Sequence, residues 1–446
     1  MMVAAMLDDP ISVLRNYLPE ALDYYADLIR NGVQTAFTRI RKVTRSELLY
    51  QMLTRKGQSQ WGELMDFYDS VGKPKDISEQ GFYAARLKFN PEAVRVMSNE
   101  YIAKIYDDND DSMKKFKGCL VLAIDGSKII LPTTQENIER FGQYTNGRSE
   151  VQPSMALVST LHDSLNSLKL DVLIDRFDGS ERDLAQRHID YFLQTYSQKA
   201  IITCDRGYPG IRLIDQIING NQYFLFRCTS TSFKKYFDQV QPGEDKVLDV
   251  TFDRVSTNAY RDDRHFRQHL MNTTYHLRFT KLAIGTDKDG KQVVEHLISN
   301  LPQEEFTAEE LKELYHLRWG TETSYERLKS RMKMEEFSGV KPTLIMQDIY
   351  ADCWMFNLVA LKIMYANEHK PIDKQNGSYT IRRNFNKSIG VMKKYLLKVL
   401  VQGDTTALDK IDRNIESELC WVKNEDRSFA RKTAVNKDSM SYKNTY

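Results

Sequence analysis

Three carboxylates and one helical stripe hold the chemistry that this sequence can perform. Asp125 and Asp205 each follow a continuous apolar run, Cys119–Ile124 and Ala200–Cys204, the kind of segment that forms a strand buried on both faces. Ligands of an open α/β sheet bind beyond such strand ends, where loops can aim side chains into a crevice. One aspartate there could simply end a strand, since Asp is a common turn residue; two after comparable strands point to a shared site. The stripe comprises Tyr315, Arg318, Glu322 and Lys329, at offsets of 3, 7 and 14 residues from the first. At about 100° per residue the four fall within roughly 60° of arc on one helix. Leu314, Leu317, Tyr325, Leu328 and Met332 lie beside them on the same wheel, which puts Glu322 at the rim of a core instead of on a solvated face.

Asp125, Asp205 and Glu322 can converge if that helix packs on the sheet near the two strand ends. Three like charges would raise one another's pKa unless a cation sits among them. Oxygen-only donors suit hard divalent cations, Mg²⁺ or Mn²⁺, and two such ions can support an in-line phosphoryl transfer. Arg318 and Lys329 would then meet phosphates. As a plain i,i+4 salt bridge, Arg318 with Glu322 would stabilise the helix by roughly 0.2–0.5 kcal/mol; that reading leaves Tyr315 and Lys329 in register unexplained.

The elements that must position these residues follow from patterning. Residues 1–112 read as helical. Two amphipathic helices across Gly72-Lys73-Pro74-Lys75 resemble a helix-turn-helix, with Ser78 as N-cap of the second and Arg86 and Lys88 on it as candidate DNA contacts. Residues 113–221 alternate strand and helix, which argues for an α/β layer with a central sheet, and residues 222–299 are nearly all strand. Thr307 followed by Glu310 is a capping signature that opens a long helix to about Lys333. A second apolar helix spans about Leu344–Glu368, and residues 371–446 are expected to be basic and mainly helical.

A chain of 446 residues with 63 Lys and Arg against 61 Asp and Glu carries a formal charge of +2, which excludes a histone-like wrapper of nucleic acid. The sign is segregated: residues 371–446 hold 15 basic against 9 acidic residues, with Arg382, Arg383, Lys387, Lys393, Lys394 and Lys398 as candidate phosphate contacts. Five scattered cysteines form neither a Cys-x-x-Cys pair nor a zinc set. The start has no basic n-region, and no apolar stretch is long enough to span a bilayer. The expectation is a soluble, cytoplasmic, multidomain protein.

The order Tyr315, Arg318, Glu322, Lys329 resembles the signature of the insertion sequence 4 family of bacterial DDE transposases. Asp125-Gly126-Ser127 and Asp205-Arg206-Gly207-Tyr208 are similar to the blocks that hold that family's first two catalytic aspartates. The resemblance covers residues 115–365 well and the N-terminal helices loosely. It implies a ribonuclease H-like α/β core, residues 113–221 and 300–370, interrupted by the β-rich insertion 222–299. By it, Asp125, Asp205 and Glu322 hold two Mg²⁺ or Mn²⁺ ions, and Tyr315, Arg318 and Lys329 hold transposon-end phosphates. It further implies a homodimer on paired ends of double-stranded DNA, strand cleavage by water, hairpin ends, and joining of the freed 3′ hydroxyl to target DNA.

The sequence departs from the family at one point. Relatives carry in the β insertion a Trp that stacks on a flipped base; here no Trp lies between Trp61 and Trp319, and the strand reads Val293-Val294-Glu295-His296-Leu297-Ile298. His296 and Tyr260 are the candidate π-faces. His265 and His269 read as part of a solvated or DNA-facing loop, and Asp163, Asp171, Asp175 and Asp178 as solvent-facing or turn residues. Two other functions fit parts of the pattern: a metal-dependent nuclease that cuts without joining, and a DNA-binding regulator without chemistry.

Overall fold

The computed structural model describes residues 6–30, 32–39, 42–145, 152–286, 292–372, 375–376 and 379–423. Its centre is an eight-stranded sheet: β1 (Leu120–Leu131), β2 (Ser154–Asp163), β3 (Leu168–Arg176), β4 (Ala200–Cys204), β5 (Tyr223–Cys228), β6 (Asp245–Val250), β7 (Tyr275–Thr286) and β8 (Gln292–Ser299) in the order β3-β2-β1-β4-β5-β8-β7-β6. β4 lies parallel to both β1 and β5, and the other neighbours are antiparallel. The β-rich segment is therefore no separate sheet: it opens with β5 beside β4, and β8, β7 and β6 extend the same sheet outward.

β1 does not end at Asp125 as its apolar run predicts. It continues to Leu131 because β2 goes on pairing with it, Asp125 opposite Thr160 and Gly126 opposite Ser159. What ends there is β4, whose last pair sets Cys204 beside Ile124. The edge of β1 from Asp125 onward is thus open on the β4 side.

The helix expected from Thr307 to Lys333 is two helices, Ala308–Leu317 and Trp319–Ser330, the first opened by the Thr307–Glu310 capping box. The break falls at Arg318. Its N–H donates to the Tyr315 carbonyl at 3.2 Å and its own carbonyl accepts from the Thr321 N–H at 2.9 Å, the three-residue spacing of a tightened turn.

The buried helix Pro342–His369 is the hub for both chain ends. Helices Pro10–Tyr24, Arg45–Thr54 and Pro91–Asp108 pack on it from the N-terminal region, and Phe385–Gln402 and Thr405–Ser417 from the C-terminal one. Arg86, expected to meet DNA, belongs to this hub. Its side chain is fully buried and donates to Gln347, Ser338 and Asp348 at 3.0, 2.6 and 2.9 Å, so it is an internal ion-pair residue and not a phosphate contact. The expected helix pair is present as Gln60–Val71 and Glu79–Arg86, joined through Gly72 at φ 67° and capped by the Ser78 hydroxyl.

Three further expectations change. His265 and His269 stand on a helix, Arg264–Asn272, and His269 Nε2 lies 2.7 Å from Asp215. Asp163 and Asp171 are buried, Asp163 accepting from the Tyr106 hydroxyl at 2.7 Å and Asp171 from Arg95 and Asn99 at 2.8 and 2.7 Å. In the basic tail, Arg383 is buried against the carbonyls of Ala366, Lys370 and Glu416, and Lys393 lies 3.9 Å from Asp352, so both serve packing. No helix among the described residues is long and apolar enough to cross a membrane.

Candidate active site

Because Ile124 and Cys204 are paired neighbours on parallel strands, the next residues stand side by side: Asp125, still within β1, and Asp205, just past the end of β4. Strand alternation puts Asp125 on the face of Val121, which packs with Leu314 and Tyr315; the helix Ala308–Leu317 therefore covers the aspartates' face. The Tyr315 hydroxyl donates to Asp205 Oδ1 at 3.2 Å. After the tightened turn, Arg318 Nη2 donates to Glu322 Oε1 at 2.9 Å while its guanidinium stands 5.6 Å from the Tyr315 ring. Glu322 is 45% exposed and Arg318 only 4%, which is the rim position expected from the helical wheel. Lys329 Nζ donates to the carbonyl of Lys128 at 2.7 Å, and the Tyr325 hydroxyl lies 2.9 Å from the carbonyls of Asp125 and Val158. These contacts lock the second helix onto the outer half of β1.

The two aspartates differ electrostatically. Burial, with Glu322 and Glu181 adding to it against the Arg318 guanidinium, pushes Asp125 up to about 6. Burial acts on Asp205 too, yet the Arg206 N–H, the Arg318 and Arg227 guanidinium groups and the Tyr315 hydroxyl outweigh it and hold its carboxyl below the usual range. Asp125 is thus the group most in need of a positive neighbour. Among the described residues, no three acidic, His or Cys side chains stand close enough to form one metal-ligand set as placed here. Arg318 is the cation among the carboxylates instead. The donors themselves, all carboxylate oxygens, fit a hard divalent ion.

Several residues at the site escaped sequence reasoning. Arg227 on β5 pairs with Glu295 on β8 at 3.0 Å, and both charges act on Tyr315. Lys169, fully buried, donates to Ser324 Oγ at 2.9 Å and lies 4.8 Å from the Tyr325 ring; burial pushes it down to about 8. Glu181 begins the helix Glu181–Thr195, with its Oε1 close to Gly126.

The candidate stacking groups fall elsewhere. Glu295 faces Arg227, so strand alternation turns His296 to the opposite side of the sheet, where it meets Phe237 edge-on at 4.9 Å. Tyr260 meets Phe266 at 5.0 Å. Beside Glu322, the exposed aromatic is Trp319, at 52%, with its ring against His316 at 6.0 Å. Of the proposed N-terminal contacts, Lys88 is exposed and lines a cavity of about 600 Å³ with Arg39 and Lys42.

Known proteins align with the chain. The Escherichia coli transposase InsL for insertion sequence element IS186A and the Escherichia coli transposase for insertion sequence element IS421 are each 35% identical over 65 residues. That is 14% of this chain and 16% of either relative, so the chain matches a short part of their length. The cryo-EM structure of a piggyBac transposase synaptic complex with hairpin DNA aligns over 93% of this chain and 86% of that one, at 12% identity and a TM-score of 0.45. Residues 118–358, more than half of the chain and spanning Asp125, Asp205 and the whole stripe, match the family described as Transposase DDE domain, and the chain belongs to that family.

Proposed function

We propose that the protein is a cut-and-paste DNA transposase acting on the ends of its own insertion sequence. The observation that supports this best is the Ile124–Cys204 register, which sets Asp125 beside Asp205 under the helix pair that carries Glu322. The strand order β3-β2-β1-β4-β5 supports a ribonuclease H-like core in residues 113–221 and 300–370. By this reading the segment 222–299 supplies β5 to the core and is otherwise the β-rich insertion, 1–112 is a helical DNA-binding region and 371–446 a basic C-terminal region.

Asp125, Asp205 and Glu322 are the residues that would hold Mg²⁺ or Mn²⁺. When bound, such ions activate water or a 3′ hydroxyl and stabilise the leaving oxygen of an in-line displacement. The side chains supply position. Tyr315 orients Asp205, Tyr325 anchors the backbone of Asp125, and Lys329 and Arg318 meet phosphates. A phosphate that takes over the Arg318 guanidinium frees Glu322 from its present pair. Double-stranded terminal repeats and target DNA are the partners, with a homodimer bridging the paired ends in the cytoplasm.

The test is incubation of the full chain with a linear duplex carrying the sequences that flank its coding region, supercoiled target DNA and Mg²⁺. Excision together with joined target products supports the proposal. Cut ends that never join would favour a nuclease, and binding without cutting a non-catalytic regulator.

A further inference from the structure

A fourth carboxylate stands beside the three. Glu181 opens the helix Glu181–Thr195, whose N-cap Ser180 accepts from the Asp183 N–H at 3.2 Å. A Cβ placed on Gly126 would meet Glu181 Oε1 at 3.0 Å. Gly126 is in the interior of β1 and is not among the positive-φ glycines, so its missing side chain serves close approach and not a turn. Gly126 shares its face with Ser159, and the helix is fixed to that face: His188 Nε2 lies 3.0 Å from Ser159 Oγ and its Nδ1 2.8 Å from Asp171.

Glu181 therefore approaches Asp125 from the side of the sheet opposite the helix of Tyr315, at the open edge where β4 has ended. Arg182 Nε donates to the Gly207 carbonyl at 3.0 Å, which ties the same helical turn to the loop of the second aspartate. Among the described residues Glu181 makes no hydrogen bond or ion pair. A second observation is independent of the acidic cluster. Tyr208 is 2% exposed and its hydroxyl has no hydrogen-bond partner, although burying an unpaired hydroxyl is costly. Of the charged groups acting on it, Glu181 comes first and Asp125 second, so the unused donor stands near both carboxylates.

We propose that Glu181 is a fourth metal-holding carboxylate, sharing a divalent cation with Asp125, and that the Tyr208 hydroxyl is the donor that orients it. The inference rests on the transposase reading of the Asp125 site, and the two can fail separately. The experiment is a titration of the full chain with Mn²⁺ alone, followed by the electron paramagnetic resonance of the free ion, with melting transitions recorded for each variant. Asp125→Asn and Glu181→Gln should each weaken Mn²⁺ binding about 10-fold or more, and Tyr208→Phe should do so to a lesser degree, as orienting partners do. Asp183→Asn, exposed on the same turn, should bind as wild type. Wild-type Mn²⁺ affinity in Glu181→Gln, with the loss confined to Asp125→Asn, overturns the assignment and leaves the transposase reading standing. Wild-type affinity in both removes the metal centre and the inference with it.

Discussion

Arg318 Nη2 stands 2.9 Å from Glu322 Oε1, so the chain's own guanidinium neutralises the third carboxylate while also acting on Asp205. If DNA phosphate competes for this guanidinium, Arg318→Ala should lower affinity for a duplex carrying the element's ends and reduce the slope of log affinity against log salt by about one. Arg318→Lys should keep the slope and lose the paired geometry of a planar donor. Fluorescence anisotropy at several salt concentrations measures both, and an unchanged slope in Arg318→Ala would remove the phosphate role.

Arg86 and Lys88 should separate stability from binding. Arg86 and Arg55 surround Asp348, all of them buried, and breaking a buried pair by removing one partner costs about 3–5 kcal/mol. Arg86→Met is expected to lower the melting temperature strongly while the folded fraction keeps its DNA affinity. Lys88→Ala should leave melting unchanged and weaken DNA binding in a salt-dependent way.

Acid should loosen the hub. Burial alone would raise Asp348, but Arg55 and Arg86 hold it at about 2; burial likewise opposes His188, Arg95 and Asn99 at Asp171, also held at about 2. Both folded values lie below the unfolded Asp value of about 4. The stabilisation is therefore complete above roughly pH 5 and is lost as pH falls toward 2. Urea midpoints should decline across that window, and Asp348→Asn should be less stable at neutral pH with a shallower acid limb. Equal limbs in the two proteins would contradict the assignment.

Trp319 is the exposed π-face next to Glu322, whereas His296 meets Phe237 across the sheet. Base stacking on an aromatic ring contributes about 1–3 kcal/mol. Trp319→Ala should accordingly reduce hairpin-ended products about 10-fold with nicking retained, and His296→Ala should change neither. Gel separation of nicks from hairpins checks this; hairpin loss confined to His296→Ala would reverse it.

The strands leading to Asp125 and Asp205 were legible because an apolar run bounded by a polar residue reports burial directly. The Thr307 and Ser78 caps were legible because capping is local. The end of β1 was not, since strand length depends on how far β2 keeps pairing. Arg86 was misread because its partner Asp348 lies 262 residues away. Asp171 was misread as solvent-facing and His188 passed over for the same reason: Ser159, Asp171 and His188 meet only after β2, β3 and the helix are packed. Glu181 reads in sequence as an ordinary first-turn acid after Ser180; the one local hint is Gly126, a glycine inside a strand.

The central claim is that Asp125, Asp205 and Glu322 work together on DNA. Single-turnover cleavage of a duplex carrying the element's own ends, in Mg²⁺, tests it with Asp125→Asn, Asp205→Asn and Glu322→Gln. Each should lose about 10³-fold or more in rate, and the double variants little beyond that, as groups acting as one unit do, with duplex binding retained. Wild-type cleavage rates in any one of the three would contradict the account.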